Sequence, residues 1–337
     1  MTSINRQIHL VSRPEKEPVL ENFALVEGPI PTPSEGEVLL RTHYLSLAPY
    51  MRARMYDGAN YAASPPLNAP MVGTSIAHII ESRHPSFAVD DYVVAPSGWQ
   101  AYSLSDGTGL QRINPDLAPL TTALNVLGLP GHTAYGALTR FGRMKSGDTL
   151  LVSAATGGVG SVAAQMGRIA GLRVVGIAGG KDKCRYLTED LGLAAAIDRR
   201  GGDFAEQLRE TCPDGVDIYF DNVAGALARS VLDAMKNYGR YLVCGTIAVN
   251  RDLGFPESKD NLQEILAKIL VKRLTLQGFL FSDFADLTSQ FHTDMSGWVK
   301  SGAVKYREHI IDGLENAPEA FLGLFSGSNF GKLLVRL

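Results

Sequence analysis

Leu150-Leu-Val-Ser-Ala-Ala-Thr-Gly-Gly-Val-Gly-Ser161 is an apolar run that breaks into a glycine turn and continues into small residues. The run Asp148-Thr-Leu-Leu-Val-Ser153 lacks the in–out alternation of a half-exposed strand, as expected of a short strand buried on both faces. A helix-like pattern begins at Ser161. Read as strand, turn and helix, the stretch is a variant of the dinucleotide fingerprint, with Ala155, Gly157 and Gly160 in its three glycine positions. Gly157 would let the backbone approach a pyrophosphate, and Gly160 would let the helix pack close to the strand. Free amides at the helix N-terminus, aided by the macrodipole, favour phosphate charge. A glycine turn can also close a βα unit and bind nothing. The buried strand before it, the helix after it and a second strand at residues 173–177 count against that reading.

The same alternation continues towards the C-terminus. Strands are expected at residues 195–198, 216–220, 240–244 and 274–278, with helices starting at Ser161, Asp182, Asp203, Ala226 and Asn261. Alternating units of this kind imply a mostly parallel, doubly wound α/β sheet. Towards the N-terminus the pattern is different. Runs such as Glu37-Val-Leu-Leu-Arg-Thr-His43 and Gly73-Thr-Ser-Ile-Ala-His-Ile-Ile80 are strand-like and separated by Pro- and Gly-bearing turns, with a further strand at 92–96. Helices are expected at 122–129 and 136–143 before the glycine turn. The last stretch, with an extended start at 306–311, a helix at 317–325 and a strand at 332–337, is like the N-terminal half, so the chain is expected to return and complete that domain.

The second strand decides which dinucleotide suits the turn. A site for NAD usually places Asp or Glu at that strand's end to bind the ribose hydroxyls. Here the chain reads Ala178-Gly-Gly-Lys-Asp-Lys183, with Lys181 and Lys183 beside Asp182, and Arg199 and Arg200 follow the third strand. That pattern favours NADP(H), with its 2′-phosphate, although the lysines could also merely solvate the first turn of the next helix.

Bulk composition narrows the partners. The chain has 337 residues, 45% hydrophobic and 20% charged, which is long enough for two cores and ordinary for a folded chain. A net charge of −3 without a basic cluster removes the electrostatic reason to expect nucleic acid or an anionic membrane. Residues 1–20 carry Arg6, Arg13, Glu15, Lys16 and Glu17 without a long apolar core, and no later run is long enough to span a bilayer, so a cytoplasmic protein is expected. Three cysteines without a close pair fit a reducing compartment. They and the seven scattered histidines lack the spacing of a zinc site, so no metal is expected.

Several separated blocks resemble a known family: Leu47-Ala-Pro-Tyr-Met-Arg52, Gly98-Trp-Gln-Ala-Tyr-Ser-Leu-Ser-Asp106, Leu129-Pro-Gly-His-Thr-Ala-Tyr135, Ala154-Ala-Thr-Gly-Gly-Val-Gly-Ser161, Tyr219-Phe-Asp-Asn-Val-Ala-Gly225 and Ser328-Asn-Phe-Gly-Lys332. From about Leu10 to the C-terminus the chain resembles the leukotriene B4 dehydrogenase / prostaglandin reductase / 2-alkenal reductase branch of the zinc-independent medium-chain dehydrogenases/reductases, which includes curcumin-type reductases. The resemblance implies a mainly β GroES-like catalytic domain over 1–124, completed by 305–337, and a Rossmann NADP-binding domain over 125–304. It also implies a homodimer. Carried over by position, it puts Gly158, Val159, Gly160 and Ser161 at the pyrophosphate and Lys183, with Arg199, at the 2′-phosphate. Asn222 and the segment Cys244, Gly245, Thr246 and Ile247 would line the cofactor, and Phe279, Leu280 and Phe281 would flank the nicotinamide. Asn329 would hydrogen-bond from the returning tail. Asn222 reads equally as a turn former, and Phe279 and Phe281 as core aromatics sharing one strand face. Many relatives carry Tyr where this chain has Asn250, in the loop after Thr-Ile-Ala-Val, and Tyr where it has Arg199.

The reaction implied by the resemblance is NADPH-dependent reduction of the C=C bond of an enal or enone. It needs a hydride donor at the β-carbon and a hydrogen-bond donor at the carbonyl oxygen, where negative charge develops. Tyr50 is the candidate for that donor, or else an aromatic that packs against the nicotinamide; the Asn250 amide is a second donor. Tyr56 and Tyr61 are expected to overhang the cleft, and the pocket to be shaped by loops around Tyr56, Trp99 and Phe284. Two other functions stay open: an NADPH quinone oxidoreductase, and a non-catalytic NADPH-binding sensor.

Overall fold

The structure is a computed structural model that describes residues 4–57, 62–248 and 262–337. The chain divides into two units, Met1–Leu124 with Glu308–Leu337, and Asn125–Arg307. The first begins with β1 (Ile4–Leu10) and β2 (Phe23–Pro29), an antiparallel pair. β3 (Val38–Ser46) follows, then a short helix α1 (Tyr50–Arg54), β4 (Ala69–Pro70), β5 (Thr74–Ser82), β6 (Tyr92–Ala95), β7 (Tyr102–Ser105) and β8 (Gln111–Ile113). These strands are mainly antiparallel and wrap a core in which Trp99 stacks on Phe23 with ring centres 5.6 Å apart.

The second unit opens with α2 (Leu129–Ala137), then alternates: β9 (Thr149–Val152), α3 (Gly158–Ile169), β10 (Arg173–Ala178), α4 (Lys181–Arg185), β11 (Ala195–Asp198), α5 (Phe204–Thr211), β12 (Val216–Asp221), α6 (Ala226–Ala234), β13 (Met235–Val243), α7 (Leu262–Lys272), β14 (Thr275–Gly278) and α8 (Thr288–Lys300). Among the described residues the six strands lie in the order β11-β10-β9-β12-β13-β14, and each pairing is parallel. This is the doubly wound Rossmann-type sheet the alternation called for. The side chains of β9 show why its sequence does not alternate. Leu150 and Val152 belong to one core, with Ala163 and Val174, while Leu151 belongs to the opposite one, with Val175 and Ile197. Both faces are dry, so both residue sets are apolar.

The chain then returns to the first unit as β15 (Glu308–Asp312), α9 (Ala317–Ser326) and β16 (Lys332–Arg336). β16 pairs parallel to β15 and antiparallel to β3, inside the order β15-β16-β3-β5-β6-β8.

Three expectations need correction. Residues 122–129 form no α-helix: a 3₁₀ segment Leu120–Leu124 is followed by a turn, and α2 starts at Leu129, with Pro130 in its first turn. That position suits proline, whose missing N–H would have no helical partner there. The helix expected at 136–143 is the end of α2 continued as a π-helical turn, Leu138–Gly142. The helix after the glycine turn begins at Gly158, three residues before Ser161.

Candidate active site

The order of the parallel sheet reverses between β9 and β12, which are neighbours although the chain leaves them towards opposite edges. Ligands of such sheets bind beyond the strand C-termini at that point. β9 ends there in Ser153 and the glycine turn. Ala154 lies in the left-handed region with φ +47°, and Gly157 N–H turns back to Ala154 O at 2.9 Å. A Cβ on Gly160 would lie 2.4 Å from Ala154 O, so the close packing expected of Gly160 is a steric requirement. Gly157 caps α3 without any side-chain hydrogen bond. The first helical bond to leave the turn is Ser161 N–H to Gly157 O, at 2.9 Å. Ser161 is buried and its amide is used by the helix, so the amides of this first turn that stand outside the helical ladder are those of Gly158, Val159 and Gly160.

Beyond β10 and β11 three cations gather. A Cβ on Gly179 would lie 3.1 Å from Arg200 Nε and 3.3 Å from Arg199 Nε, so both guanidinium groups lie over that backbone. Burial holds the Lys183 ammonium below its ordinary pKa, and the charges of Arg200 and Arg199 push it the same way. Asp182 is engaged by Arg185 at 2.8 Å. Sequence reasoning missed Asp198, whose Oδ1 accepts from the amides of Gly180 at 2.7 Å and Arg200 at 3.0 Å. The Gly180 hydrogen bond leads the causes that hold this carboxyl below the usual range. It ties the loop and leaves the cations at the end of β10.

β12 delivers Asp221 and Asn222 to the switch point. Ser153 Oγ donates to Asp221 Oδ1 at 2.8 Å and accepts from Asn222 N–H at 2.7 Å, and Asn222 Nδ2 donates to Ser153 O at 2.8 Å. Asn222, expected from the sequence to line the cofactor, is therefore a tie between the two strands. Cys244 and Gly245 donate their amides to Asp221 O at 2.8 and 3.0 Å, which holds the start of the loop that continues to Thr246 and Ile247. Burial, then the charge of Asp221, push the Cys244 thiol up to about 12, so it is no nucleophile near neutrality. Asn250 lies outside the described residues, as does Tyr61.

Past β14, Phe279 is a packing residue, with ring centres 5.6 Å from Phe284 and 6.1 Å from Phe220. Leu280 and Phe281 are exposed, and the Phe281 ring meets His132 edge-on at 5.2 Å. The three residues thus do not share a surface, because the strand ends at Gly278 and a 3₁₀ segment starts at Phe281.

In the other unit, Tyr50 opens α1, half-buried against the core that includes Trp99 and Phe321. Burial raises the phenol above its ordinary value, against smaller lowering effects of a hydrogen bond with Thr74 and the charge of Arg54. Asn329 donates to Gly331 O at 2.8 Å. Three residues expected around the pocket belong elsewhere. Trp99 and Phe284 are wholly buried in their units, and a Cβ on Gly136 would lie 2.2 Å from Phe284 Cγ. Tyr56 is buried too, with its hydroxyl donating to Lys16 O. Their aromatic bulk fills cores. Among the described residues no three His, Cys, Asp or Glu side chains come together as a metal site would require, and no helix is long and apolar enough to cross a membrane.

Residues 6–113 match the family described as "N-terminal domain of oxidoreductase", and residues 158–300 that described as "Zinc-binding dehydrogenase". The NADPH-dependent curcumin reductase of Escherichia coli (strain K12) is 45% identical over 334 residues, 99% of this chain and 97% of that one. Prostaglandin reductase 1 of Rattus norvegicus is 36% identical over 327 residues, 95% of each. The crystal structure of CurA in complex with NADPH from Vibrio vulnificus is 44% identical and covers 98% of both chains, with a TM-score of 0.95. By these matches and by its fold, the chain belongs to the medium-chain dehydrogenase/reductase superfamily of oxidoreductases, in the branch of the prostaglandin and curcumin reductases.

Proposed function

We propose that the chain is an NADPH-dependent reductase of the C=C bond of α,β-unsaturated aldehydes and ketones. The observation that carries the cofactor assignment is the gathering of Lys183, Arg199 and Arg200 beyond β10, beside a helix end that no side chain caps. The residues present fit the group. Gly158, Val159 and Gly160 offer amides to a pyrophosphate, and the three cations offer charge to a 2′-phosphate. The substrate class is supported by 45% identity to a curcumin reductase and 36% to a prostaglandin reductase.

Bound NADPH supplies the hydride to the substrate's β-carbon. The task left to the chain is to stabilise the negative charge that then develops on the carbonyl oxygen. Tyr50 is suited to it, because a phenol kept protonated by burial donates a hydrogen bond without losing its proton. The α-carbon takes its proton from solvent or from a neutral tyrosine. Steady-state oxidation of NADPH against a panel of enals, enones and quinones tests the reading, and turnover with enals and enones is expected. No turnover with any of them, despite NADPH binding, would overturn it; faster turnover with quinones would move the substrate class. Tyr50→Phe should lower kcat about 100-fold and leave the Kd for NADPH unchanged.

A further inference from the structure

Asp198 ends β11 with a carboxylate beside the cations that gather beyond β10. In a site for a 2′-phosphate that charge is out of place, since it repels the group the cations attract. Its hydrogen bonds show what it does there. Oδ1 accepts from the Arg200 amide at 3.0 Å, a local bond that by itself is an ordinary Asx turn. The same Oδ1 also accepts from the Gly180 amide at 2.7 Å, 18 residues back in the chain and beyond the end of the neighbouring strand. Both donors are backbone N–H groups, which can only donate. The Gly180 bond first, then the Arg200 bond and the charges of Arg200 and Arg199, hold the carboxyl below its usual range against a smaller effect of burial.

One oxygen thus joins the turn after β10 to the turn after β11, and each turn carries part of the cation cluster. On the β10 side, Gly180 stands just before α4 with φ +99°, a conformation that suits glycine. Its carbonyl accepts from Cys184 N–H at 3.2 Å, in the first turn of the helix that bears Lys183. On the β11 side, Arg199 N–H donates to Ala178 O and Gly201 N–H to Asp198 O, both at 2.9 Å, so Arg199 and Arg200 stand between two fixed points. Both guanidinium groups lie over Gly179, whose missing side chain leaves room for them: a Cβ there would lie 3.1 Å from Arg200 Nε. The spacing between Lys183 on one turn and the arginines on the other is therefore set through Asp198.

We propose that Asp198 sets the preference of this chain for NADPH over NADH, by joining the two turns so that Lys183, Arg199 and Arg200 converge on one 2′-phosphate. It acts through the cations and is a positioning residue. The inference rests on the cofactor reading above, in which the 2′-phosphate meets these cations at the end of β10. Three cations outweigh the one carboxylate there, so the tie costs the site less charge than it gains in convergence.

The test separates geometry from charge, with the dissociation constants of NADPH and NADH measured by titration calorimetry on the full-length chain and its variants. Asp198→Ala removes both acceptor and charge, and should bind NADPH about tenfold more weakly while NADH changes less than about twofold. Asp198→Asn keeps an oxygen for the two amides and loses the charge, so it should hold the wild-type preference for NADPH or raise it. Asp198→Glu keeps the charge on a side chain one methylene longer, which does not fit both amides. It should lose NADPH affinity selectively, and it covers the case in which Asp198→Ala does not fold. If the ratio of the two constants stays as in the wild type in the Ala and Glu variants, through no loss or through equal losses, the inference is overturned. An Asn variant as impaired for NADPH as the Ala variant overturns it too, and either result leaves the cofactor reading standing. A wild-type chain without a preference for NADPH overturns both.

Discussion

Lys332 carries its ammonium into the core of the N-terminal unit, where Nζ donates to Leu47 O at 2.6 Å. Burial lowers its pKa from 10.5 to about 7, with Glu308 opposing the drop. Between these two values the unfolded chain holds a proton that the folded chain has released, so stability rises with pH from about 7 towards 10.5 on account of this group. Denaturant unfolding at pH 7 and at pH 9 should show that rise in the wild type and a smaller one in Lys332→Met. The sequence presented Lys332 only as the end of a tail block; its burial follows from the strand it sits on. Lys183 is the opposite case, since its neighbours in sequence already pointed to a phosphate. On the proposed function, in which Lys183 makes one charge-assisted contact to the 2′-phosphate, Lys183→Ala should raise the KM for NADPH about tenfold and leave that for NADH nearly unchanged.

At the scale of elements, the β9–turn–α3 unit was legible because its physics is local. A run with two dry faces must be apolar throughout, and a turn that brings helix against strand must lack a side chain at Gly160. Gly160→Ala would place a methyl 2.4 Å from Ala154 O, and should cost about 1–3 kcal/mol by thermal or denaturant unfolding while weakening NADPH binding. The helices before β9 were less legible. Residues 122–129 are apolar enough for a helix, yet a segment that turns at Asn125 and Gly128 leaves Pro130 to start the real one. Periodicity reports which residues are buried, and over so short a stretch it does not report where a chain turns. Phe279, Leu280 and Phe281 show the same limit, because the strand on which two of them would share a face ends before the first.

Over the whole molecule, the N-terminal unit depends on a strand from the far end of the chain. β16 lies between β15 and β3, so removing residues 332–337 would leave the edge of β3 open and its core unclosed. The two tryptophans report on different units, Trp99 from the buried core of the first and Trp298 from beside the core of the second. In a Trp298→Phe background, deletion of 332–337 should shift Trp99 fluorescence to the red. An unshifted spectrum would mean that the unit closes without its last strand.

The sequence by itself determined the alternating parallel unit, the dinucleotide turn and the preference for the 2′-phosphate, because each rests on neighbours in the chain: apolar runs, glycines at fixed offsets, cations where a carboxylate would otherwise stand. Only the tertiary structure decided that Ser153 and Asp221, 68 residues apart, meet at 2.8 Å, that Tyr56, Trp99 and Phe284 fill cores, and that Lys332 is dry. Those facts depend on which strands become neighbours and on what covers them. Strand order and burial are properties of the assembled sheets, and no local pattern carries them.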